Sequence, residues 1–314
     1  MRYQHTIKSA MSTTGVGLHS GQPSTLTLSP APPDKGVVFR QTVEGVFHSC
    51  PASIHHVIPT ELCTAVGANG VQVHTVEHIL AALSGLEVDN VYVDVDAQEV
   101  PVLDGSAAPF VELIQGAEST PQDKPREFLK VLQPIHIANG SSQMTVLPSE
   151  APCISCTIQF DHSLIQTQKY EYIWDVSDFQ QEIAPARTFA FNDEIEAIWK
   201  KGLGQGGSLM NTLVFSDTAV LNEQGLRFAD ECVRHKVLDI IGDLTLLGRP
   251  MIGHVMAHCS GHALHNQFVK EILACPESWR IVYQDEMNLI EPSHVLTTHS
   301  IHTAPFSSAI APSS

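Results

Sequence analysis

The sequence predicts an α+β protein that repeats a mixture of strands and helices in its two halves. Residues 24–28 and 90–95 alternate apolar and polar side chains, as half-buried strands do. Residues 230–247 form a longer run with the apolar spacing of a helix. Because such segments do not follow the even rhythm of βαβ units, a parallel sheet is disfavoured.

The N-terminal half is predicted to contain short strands, turns and two helices. Strand 24–28 is followed by strand 36–39 after a Pro/Asp turn. A helix then runs from about 75 to 83, where Ser84 and Gly85 end it. Strand 90–95, a turn at 101–106 and a helix at 107–114 complete this half.

A change of composition between residues 116 and 125, where polar residues and proline become frequent, indicates a domain boundary. We predict an N-terminal domain at 1–123, a linker at 124–133, a C-terminal domain at 134–300 and a frayed tail at 301–314. In the second domain, we predict strands at 143–147 and 153–160 and helices at 192–200, 230–247 and 261–274.

The chain of 314 residues is acidic and rich in histidine. It has 17 Lys and Arg against 34 Asp and Glu, a formal charge of −17, and 17 His. This charge argues against nucleic acid as a partner. Since histidine is the commonest metal ligand, the count points to a metal site without locating it.

Other features of the sequence indicate the cellular compartment. The sequence has no run of about 18 apolar residues, and residues 1–20 lack the apolar segment of a secretory signal. We therefore expect a cytoplasmic protein without stable membrane insertion. Seven cysteines at irregular spacing favour reduced thiols. Cys153 and Cys156 form an isolated C-x-x-C in an alternating strand, which indicates two semi-buried thiols rather than a zinc site.

Two clusters combine histidine with carboxylates. His74, Glu77 and His78 have the H-x-x-E-H order of inverted zinc peptidases. A helix with solvated polar side chains is an equally good interpretation. The second cluster comprises His235, Asp239 and Asp243, and its spacing is more specific.

His235, Asp239 and Asp243 recur every four residues, so they lie on one side of a helix whose other faces are apolar. Burying them without partners would cost several kcal/mol each, and a divalent cation would remove much of that cost for His235 and Asp239. The alternative is an exposed polar stripe. A third set comprises His254, His258, His262 and His265, but Gly261 interrupts it. One catalytic histidine among the four is more plausible than a shared metal.

Seven segments together resemble one protein family. They are TGVGLHSG (14–21), TVEH (75–78), LDGSAAPF (103–110), ARTF (186–189), GGS (206–208), HKVLDIIGD (235–243) and SGHAL (260–264). In this order they closely resemble the UDP-3-O-acyl-N-acetylglucosamine deacetylases, zinc enzymes of lipid A biosynthesis in Gram-negative bacteria. The resemblance extends from about residue 3 to 275.

The resemblance implies two domains, each a two-layer α/β sandwich with helices packed between sheets, and an active site at their junction. It implies one catalytic Zn²⁺, a UDP-linked acylated amino sugar as substrate and a monomer. An insertion near 189–214 would line an acyl passage. The expected reaction is hydrolysis of the N-acetyl group to acetate and the free amine.

The resemblance also assigns roles by position. The implied zinc ligands are His78, His235 and Asp239. The implied catalytic groups are Glu77 as base, His262 as acid, Asp243 as its orienting carboxylate, Thr188 as oxyanion donor and Lys236 near the substrate. The implied substrate contacts are Leu18, His19, Leu62, Cys63, Phe160, Phe189, Ile195, Gly207, Ser208, Leu209 and Val214.

Two other functions remain as alternatives. A zinc peptidase would use His74, Glu77 and His78, but it leaves Lys236 and the other motif residues without a role. A non-catalytic sugar-nucleotide binding protein would need neither a base nor an acid. Two alanine variants distinguish the peptidase from the deacetylase. The peptidase would lose zinc in His74→Ala and keep it in Asp239→Ala, whereas the deacetylase would not.

Overall fold

The computed structural model describes residues 2–174 and 177–283, so the predicted tail (301–314) lies outside the described residues. The α+β class is confirmed. The strands are β1 (Tyr3–Ile7), β2 (Met11–Val16), β3 (Pro23–Pro30), β4 (Val37–Val43), β5 (Val46–Pro51), β6 (Val57–Ile58), β7 (Ala65–Ala68), β8 (Val71–His74), β9 (Val91–Val95), β10 (Ser119–Pro125), β11 (Phe128–Val131), β12 (Ile135–Asn139), β13 (Ser142–Leu147), β14 (Cys153–Gln159), β15 (Thr167–Ile173), β16 (Phe189–Phe191), β17 (Leu213–Phe215), β18 (Met251–Ile252), β19 (His254–His258) and β20 (Trp279–Val282). The helices are α1 (Glu77–Gly85), α2 (Ala108–Ala117), α3 (Ile195–Lys200), α4 (Glu231–Leu244) and α5 (His262–Ala274).

The two halves contain five-stranded sheets of the same topology. The first has the order β2-β3-β9-β4-β5, and the second has the order β12-β13-β19-β14-β15. In each sheet one central pair is parallel, β4 with β9 and β14 with β19, and the remaining pairs are antiparallel. The sequence-based expectation of the same element mixture in both halves therefore corresponds to a repeated sheet.

The helices form the layer that joins the halves. Helix α1 packs against α4, while α2 lies on β2 and α5 lies on β12 and β13. Every residue of α1 from 77 to 83 is buried, as expected for a helix covered on all sides. One continuous apolar core includes residues of both sheets and of these helices. The α1–α4 contact lies within that core and brings together residues from distant parts of the sequence.

The segment of changed composition is structured. Residues Ser119–Pro125 form β10, which pairs antiparallel with β1. Within the predicted linker, Phe128–Val131 forms β11, and all four of its side chains are buried. Composition alone missed these strands because their partners, β1 and β20, are far away in sequence. The domain boundary stays a prediction.

The junction between β8 and α1 differs from the predicted helix at about 75–83. Strand β8 ends at His74, Thr75 adopts φ +57°, and α1 begins only at Glu77. The Thr75 hydroxyl donates to Glu99 Oε1 at 2.8 Å. This left-handed residue turns the chain, so His74 and His78 do not share a helical face.

The close crossing of α1 and α4 depends on Gly242. A Cβ atom at this position would lie 2.1 Å from the backbone oxygen of Glu77. We predict that Gly242→Ala destabilises the protein by about 1–3 kcal/mol, because a backbone atom cannot give way as a flexible side chain can. Gly116→Ala in α2 is the matched control, since its Cβ would meet only the terminal carbon of Met11 at 3.1 Å. Denaturant unfolding of both variants measures the difference, and equal stabilities would contradict this account of the crossing.

Candidate active site

The crossing of α1 and α4 brings three potential metal ligands together. His78 lies in the first turn of α1, and His235 and Asp239 lie one turn apart on α4. Asp239 Oδ1 is 3.4 Å from His235 Nε2 and 3.8 Å from His78 Nε2. One donor atom from each residue lies within 4.8 Å of the other two. The predicted ligand set is therefore assembled in space.

The chemistry of these side chains fits a divalent cation. All three are buried, and Asp239 Oδ1 has no hydrogen-bond partner among the described residues. His235 Nδ1 lies 3.0 Å from the Ala186 carbonyl oxygen, to which it donates, so Nε2 carries the free lone pair. Burial lowers the pKa of both histidines, that of His78 to about 3, which keeps them neutral. Two neutral imidazoles and a carboxylate leave a coordination position open, as catalytic zinc sites do.

Asp239 is ionised despite its burial. Burial would raise its pKa, but Lys236 and the neighbouring histidines hold the pKa well below its usual range. Lys236 Nζ donates to Asp239 Oδ2 at 2.8 Å. The ammonium of Lys236, predicted to lie near substrate, is thus held beside the metal-ligand group.

Glu77 directly precedes His78 at the start of α1, and its carboxylate lies beside the metal-ligand group. Its Oε2 accepts a hydrogen bond from the Thr64 N–H at 3.0 Å, and its Oε1 lies 3.7 Å from His262 Nε2. Burial raises the pKa of Glu77 to about 8, with further contributions from Asp243 and Asp239. This carboxylate is consequently a stronger base than an exposed glutamate.

His262, the first residue of α5, lies opposite Glu77 beside the metal-ligand group. Its Nδ1 donates to Asp243 Oδ2 at 2.8 Å, which leaves Nε2 facing Glu77. Burial would lower the pKa of His262, but the carboxylates of Asp243, Glu77 and Asp239 raise it to about 9. His262 therefore carries a proton near neutral pH, as a general acid requires.

Two polar residues that hold Asp243 were not predicted. The Thr64 hydroxyl donates to Asp243 Oδ1 at 2.6 Å. His265 Nδ1 donates to Asp243 Oδ2 at 2.7 Å, while Ser260 Oγ lies 2.9 Å from its Nε2. The SGHALH segment contained a signal for His265, since it follows His262 by almost one helical turn. Thr64 had no such signal because it lies 179 positions from Asp243.

The polar side chains that could equally have lain on a solvated helix surface are buried. Glu77, His78, His235, Asp239 and Asp243 are each at most 4% exposed. The alternatives of a solvated helix and of an exposed polar stripe are therefore wrong. The described metal-ligand group also excludes His74, which lies at the end of β8. The inverted-zincin geometry, with both histidines on one helix, is not formed.

Comparison with known proteins identifies the family of this chain. The sequence model of the family described as UDP-3-O-acyl N-acetylglycosamine deacetylase matches residues 4–274. This chain belongs to that deacetylase family.

Curated relatives cover nearly the whole chain. A UDP-3-O-acyl-N-acetylglucosamine deacetylase of Myxococcus xanthus is 46% identical over 279 residues, 89% of each chain. The protein of that name from Syntrophotalea carbinolica is 43% identical over 91% of this chain and 93% of its own. The one from Pseudomonas entomophila is 42% identical over 93% and 97%. Among the described residues, no helix is both long and apolar enough to cross a membrane.

In this deacetylase the turn that contains Leu18 and His19 contacts residues 189–214, the segment predicted to be an insertion. The Gly206 N–H donates to the Leu18 carbonyl at 3.0 Å, and the Gln205 N–H donates to that of His19 at 3.2 Å. Glu99 accepts from the His19 N–H at 2.9 Å and holds the turn. Both ring nitrogens of His19 are buried without a hydrogen-bond partner among the described residues.

The insertion consists of two short parallel strands, β16 and β17, joined by α3. Phe189 of β16 contacts Phe160 at 5.7 Å between ring centroids and lies 6.5 Å from the His235 ring. Val214 of β17 is buried. This apolar wall connects the insertion to the metal-ligand group. The backbone N–H of Thr188, one residue before Phe189, donates to the Gly105 carbonyl at 2.9 Å.

The remaining predicted substrate residues lie at different depths. Cys63 is buried, whereas Leu62 and Leu209 are 57% and 47% exposed. The backbone N–H groups of Gly207 and Ser208 are used within their own turn, to Gly204 O and Asn211 Oδ1. Ile195 begins α3, which has no buried residue. Substrate contacts by these residues stay predictions.

The 60–63 loop is joined to the insertion by an ion pair. Glu61 Oε2 lies 2.6 Å from Lys201 Nζ, directly after α3. Both side chains are about 60% exposed, so the pair contributes little stability. The pair nevertheless gives the carboxylate of Glu61 a partner next to α3.

Proposed function

We propose that this chain hydrolyses the N-acetyl group of UDP-3-O-(3-hydroxyacyl)-N-acetylglucosamine, an early step of lipid A biosynthesis, with Zn²⁺ bound by His78, His235 and Asp239. The observation that carries this proposal is a buried metal-ligand group flanked by a carboxylate and a protonated histidine. The names of the relatives supply the substrate. We also propose that the enzyme acts in the cytoplasm as a monomer.

A bound zinc ion would polarise the acetamide carbonyl and lower the pKa of a water molecule to about 7. Glu77 accepts a proton from the attacking water as its oxygen bonds to the carbonyl carbon. Its raised pKa suits this transfer near neutral pH. The Thr64 N–H keeps the Glu77 carboxylate in position through one oxygen and leaves the other facing His262.

His262 completes the reaction by protonating the leaving amine. When the carbon–nitrogen bond breaks, the nitrogen takes the proton from His262 Nε2, and acetate and the free amine are released. Asp243 holds the ring through Nδ1 and stabilises its charged form. The hydroxyl of Thr188 is proposed to donate to the oxyanion, which such donors stabilise by roughly 3–4 kcal/mol in other enzymes.

Substrate binding is proposed to involve both halves of the chain. The unpartnered imidazole of His19 offers a hydrogen bond to the sugar nucleotide, and Lys236 provides positive charge beside the metal-ligand group. This local charge matters because the whole chain carries −17 and the substrate contains a diphosphate. The apolar wall of Phe160, Phe189 and Val214 is proposed to border the acyl chain.

The test is release of acetate from the UDP-linked substrate by the zinc-loaded protein. We expect one acetate for each free amine formed, and a much lower kcat/KM for UDP-N-acetylglucosamine without the 3-O-acyl chain. Release of amino acids from peptides, without acetate from the sugar nucleotide, would identify a peptidase and refute the proposal. Binding of the sugar nucleotide without any turnover would identify the non-catalytic alternative.

The pH profile tests the pairing of His262 with Asp243. His262 must be protonated, so activity is lost as pH rises through its pKa of about 9. Asp243→Asn removes the neighbouring charge that contributes most to raising this pKa, and we expect the alkaline limb of kcat/KM to move to lower pH. His136→Gln, on the exposed side of β12, is the control and should leave the limb in place. An unmoved limb in Asp243→Asn would rule out this pairing.

A further inference from the structure

The solvent-facing side of the second sheet carries a cysteine, a histidine and a glutamate on three adjacent strands. Cys153 of β14 is the direct partner of His254 on the parallel strand β19. On the other side of β14, Glu171 of β15 is the direct partner of Ser155, two residues from Cys153. Since residues two apart on a strand share a face, these side chains point the same way.

These side chains are close enough to bind one ion. One donor atom each from Cys153, Glu171 and His254 lies within 4.8 Å of the other two. Ser155 Oγ donates to Glu171 Oε2 at 3.1 Å and lies 2.8 Å from His254 Nε2. The serine therefore orients both neighbours toward one another.

The charges at this cluster favour a cation. Among the described residues, no Lys, Arg or His forms an ion pair with Glu171. Burial and the Glu171 carboxylate both raise the pKa of the Cys153 thiol, so the thiolate is disfavoured while the cluster is empty. A divalent ion would be attracted to both groups and would reverse this effect, because metal binding deprotonates a coordinating thiol.

We propose that Cys153, Glu171 and His254 form a second metal site, distinct from the catalytic one, that takes a thiophilic divalent cation such as Zn²⁺. Sulfur, nitrogen and oxygen donors together suit zinc, and a fourth position stays open for water. Binding releases the thiol proton to solvent and involves no redox change. Cys156, the other cysteine of the C-x-x-C pair, faces the core and does not belong to the site.

The site would join β15, β14 and β19, so its occupation should stabilise the second sheet. A ligand that binds only the folded state raises its stability according to its concentration relative to Kd. The three residues lie outside the proposed deacetylation machinery. The inference is therefore independent of the proposed function.

Co²⁺ distinguishes the two sites, because the Cys153 site contains a thiol and the group of His78, His235 and Asp239 does not. We would add Co²⁺ to chelator-treated protein that has been reloaded with one equivalent of Zn²⁺, and follow the near-ultraviolet sulfur-to-cobalt charge-transfer band. We expect the band to saturate at about one equivalent. Cobalt that exchanges into the His78, His235 and Asp239 group gives no such band, since that group has no sulfur ligand.

Cys153→Ser should abolish the band, and the matched control Cys259→Ser, at another half-buried thiol, should retain it. His254→Gln and Glu171→Gln should weaken cobalt binding by more than the roughly 10–100-fold that loss of an outer-shell partner costs. Zinc added beyond the first equivalent should raise the Tm of the wild type but not of Cys153→Ser, with acetate release unchanged. A band that is absent from the wild type or survives in Cys153→Ser would overturn the proposal. If Cys153→Ser does not fold, unchanged cobalt affinity in His254→Gln would overturn it equally.

Discussion

Replacement of Glu77 by glutamine is expected to lower kcat by about 10²–10⁴-fold, the usual contribution of a general base. Glutamine keeps the size of the side chain and can still accept the Thr64 N–H, but it cannot take a proton from water. Bound metal should not change, because Glu77 is not among the three ligand residues. Steady-state kinetics and metal analysis of the same preparation measure both quantities.

His74→Gln is the matched control for Glu77→Gln. His74 lies only three positions away but ends β8, outside the metal-ligand group. We expect it to retain metal and most of the activity. A Glu77→Gln enzyme with kcat within a few-fold of the wild type would show that another group removes the proton.

Asp239→Asn is expected to lower zinc affinity by more than the roughly 10–100-fold that loss of an outer-shell partner costs. The variant keeps the shape of the ligand but loses its charge between two neutral imidazoles. It also leaves the Lys236 ammonium, held by Asp239 at 2.8 Å, without its partner. Breaking a fully buried pair typically costs about 3–5 kcal/mol, and since Lys236 is 22% exposed, stability should fall by less than that.

Circular dichroism and denaturant unfolding separate the two effects of Asp239→Asn. Metal affinity is compared at a temperature where the variant is folded. Asp230→Asn serves as the control, because Asp230 precedes the same helix and pairs with Arg234 rather than with the ligand group. Zinc bound by Asp239→Asn with wild-type affinity would contradict the assignment of this ligand.

Local sequence patterns predicted helix α4, because the residues that stabilise it recur at a regular spacing along the chain. The four-residue spacing of His235, Asp239 and Asp243 within an apolar run predicted both α4 and its buried polar face. Gly248, directly after the predicted helix at 230–247, ends the helical region with φ +76°. The start of α1 was missed because the positive φ of Thr75 depends on Glu99, which is 24 positions away.

Contacts between distant segments were not predictable from spacing. The Thr64–Asp243 hydrogen bond spans 179 positions, and β10 is a strand only because β1 pairs with it. The Cys153–Glu171–His254 cluster likewise needs the register of three strands. The C-x-x-C pattern predicted two semi-buried thiols, whereas Cys156 is buried in the core and Cys153 lies on the opposite face of the strand.

The structure shows where the histidines that could have a functional role lie and what they contact. Of the 17 His, two belong to the proposed catalytic metal-ligand group and two more contact Asp243. His19 differs from these because both of its ring nitrogens are buried without a hydrogen-bond partner in the part of the chain that the structure describes. All seven cysteines are free in the structure, and their reduced state in the cell stays a prediction.

The most direct test is a zinc titration of chelator-treated protein, followed by acetate release from UDP-3-O-(3-hydroxyacyl)-N-acetylglucosamine. The site formed by His78, His235 and Asp239 predicts that activity is lost on chelation and returns linearly up to one zinc per chain, even if a second ion binds elsewhere. Full activity after complete removal of metal, or no acetate release by the fully zinc-loaded protein, would contradict it.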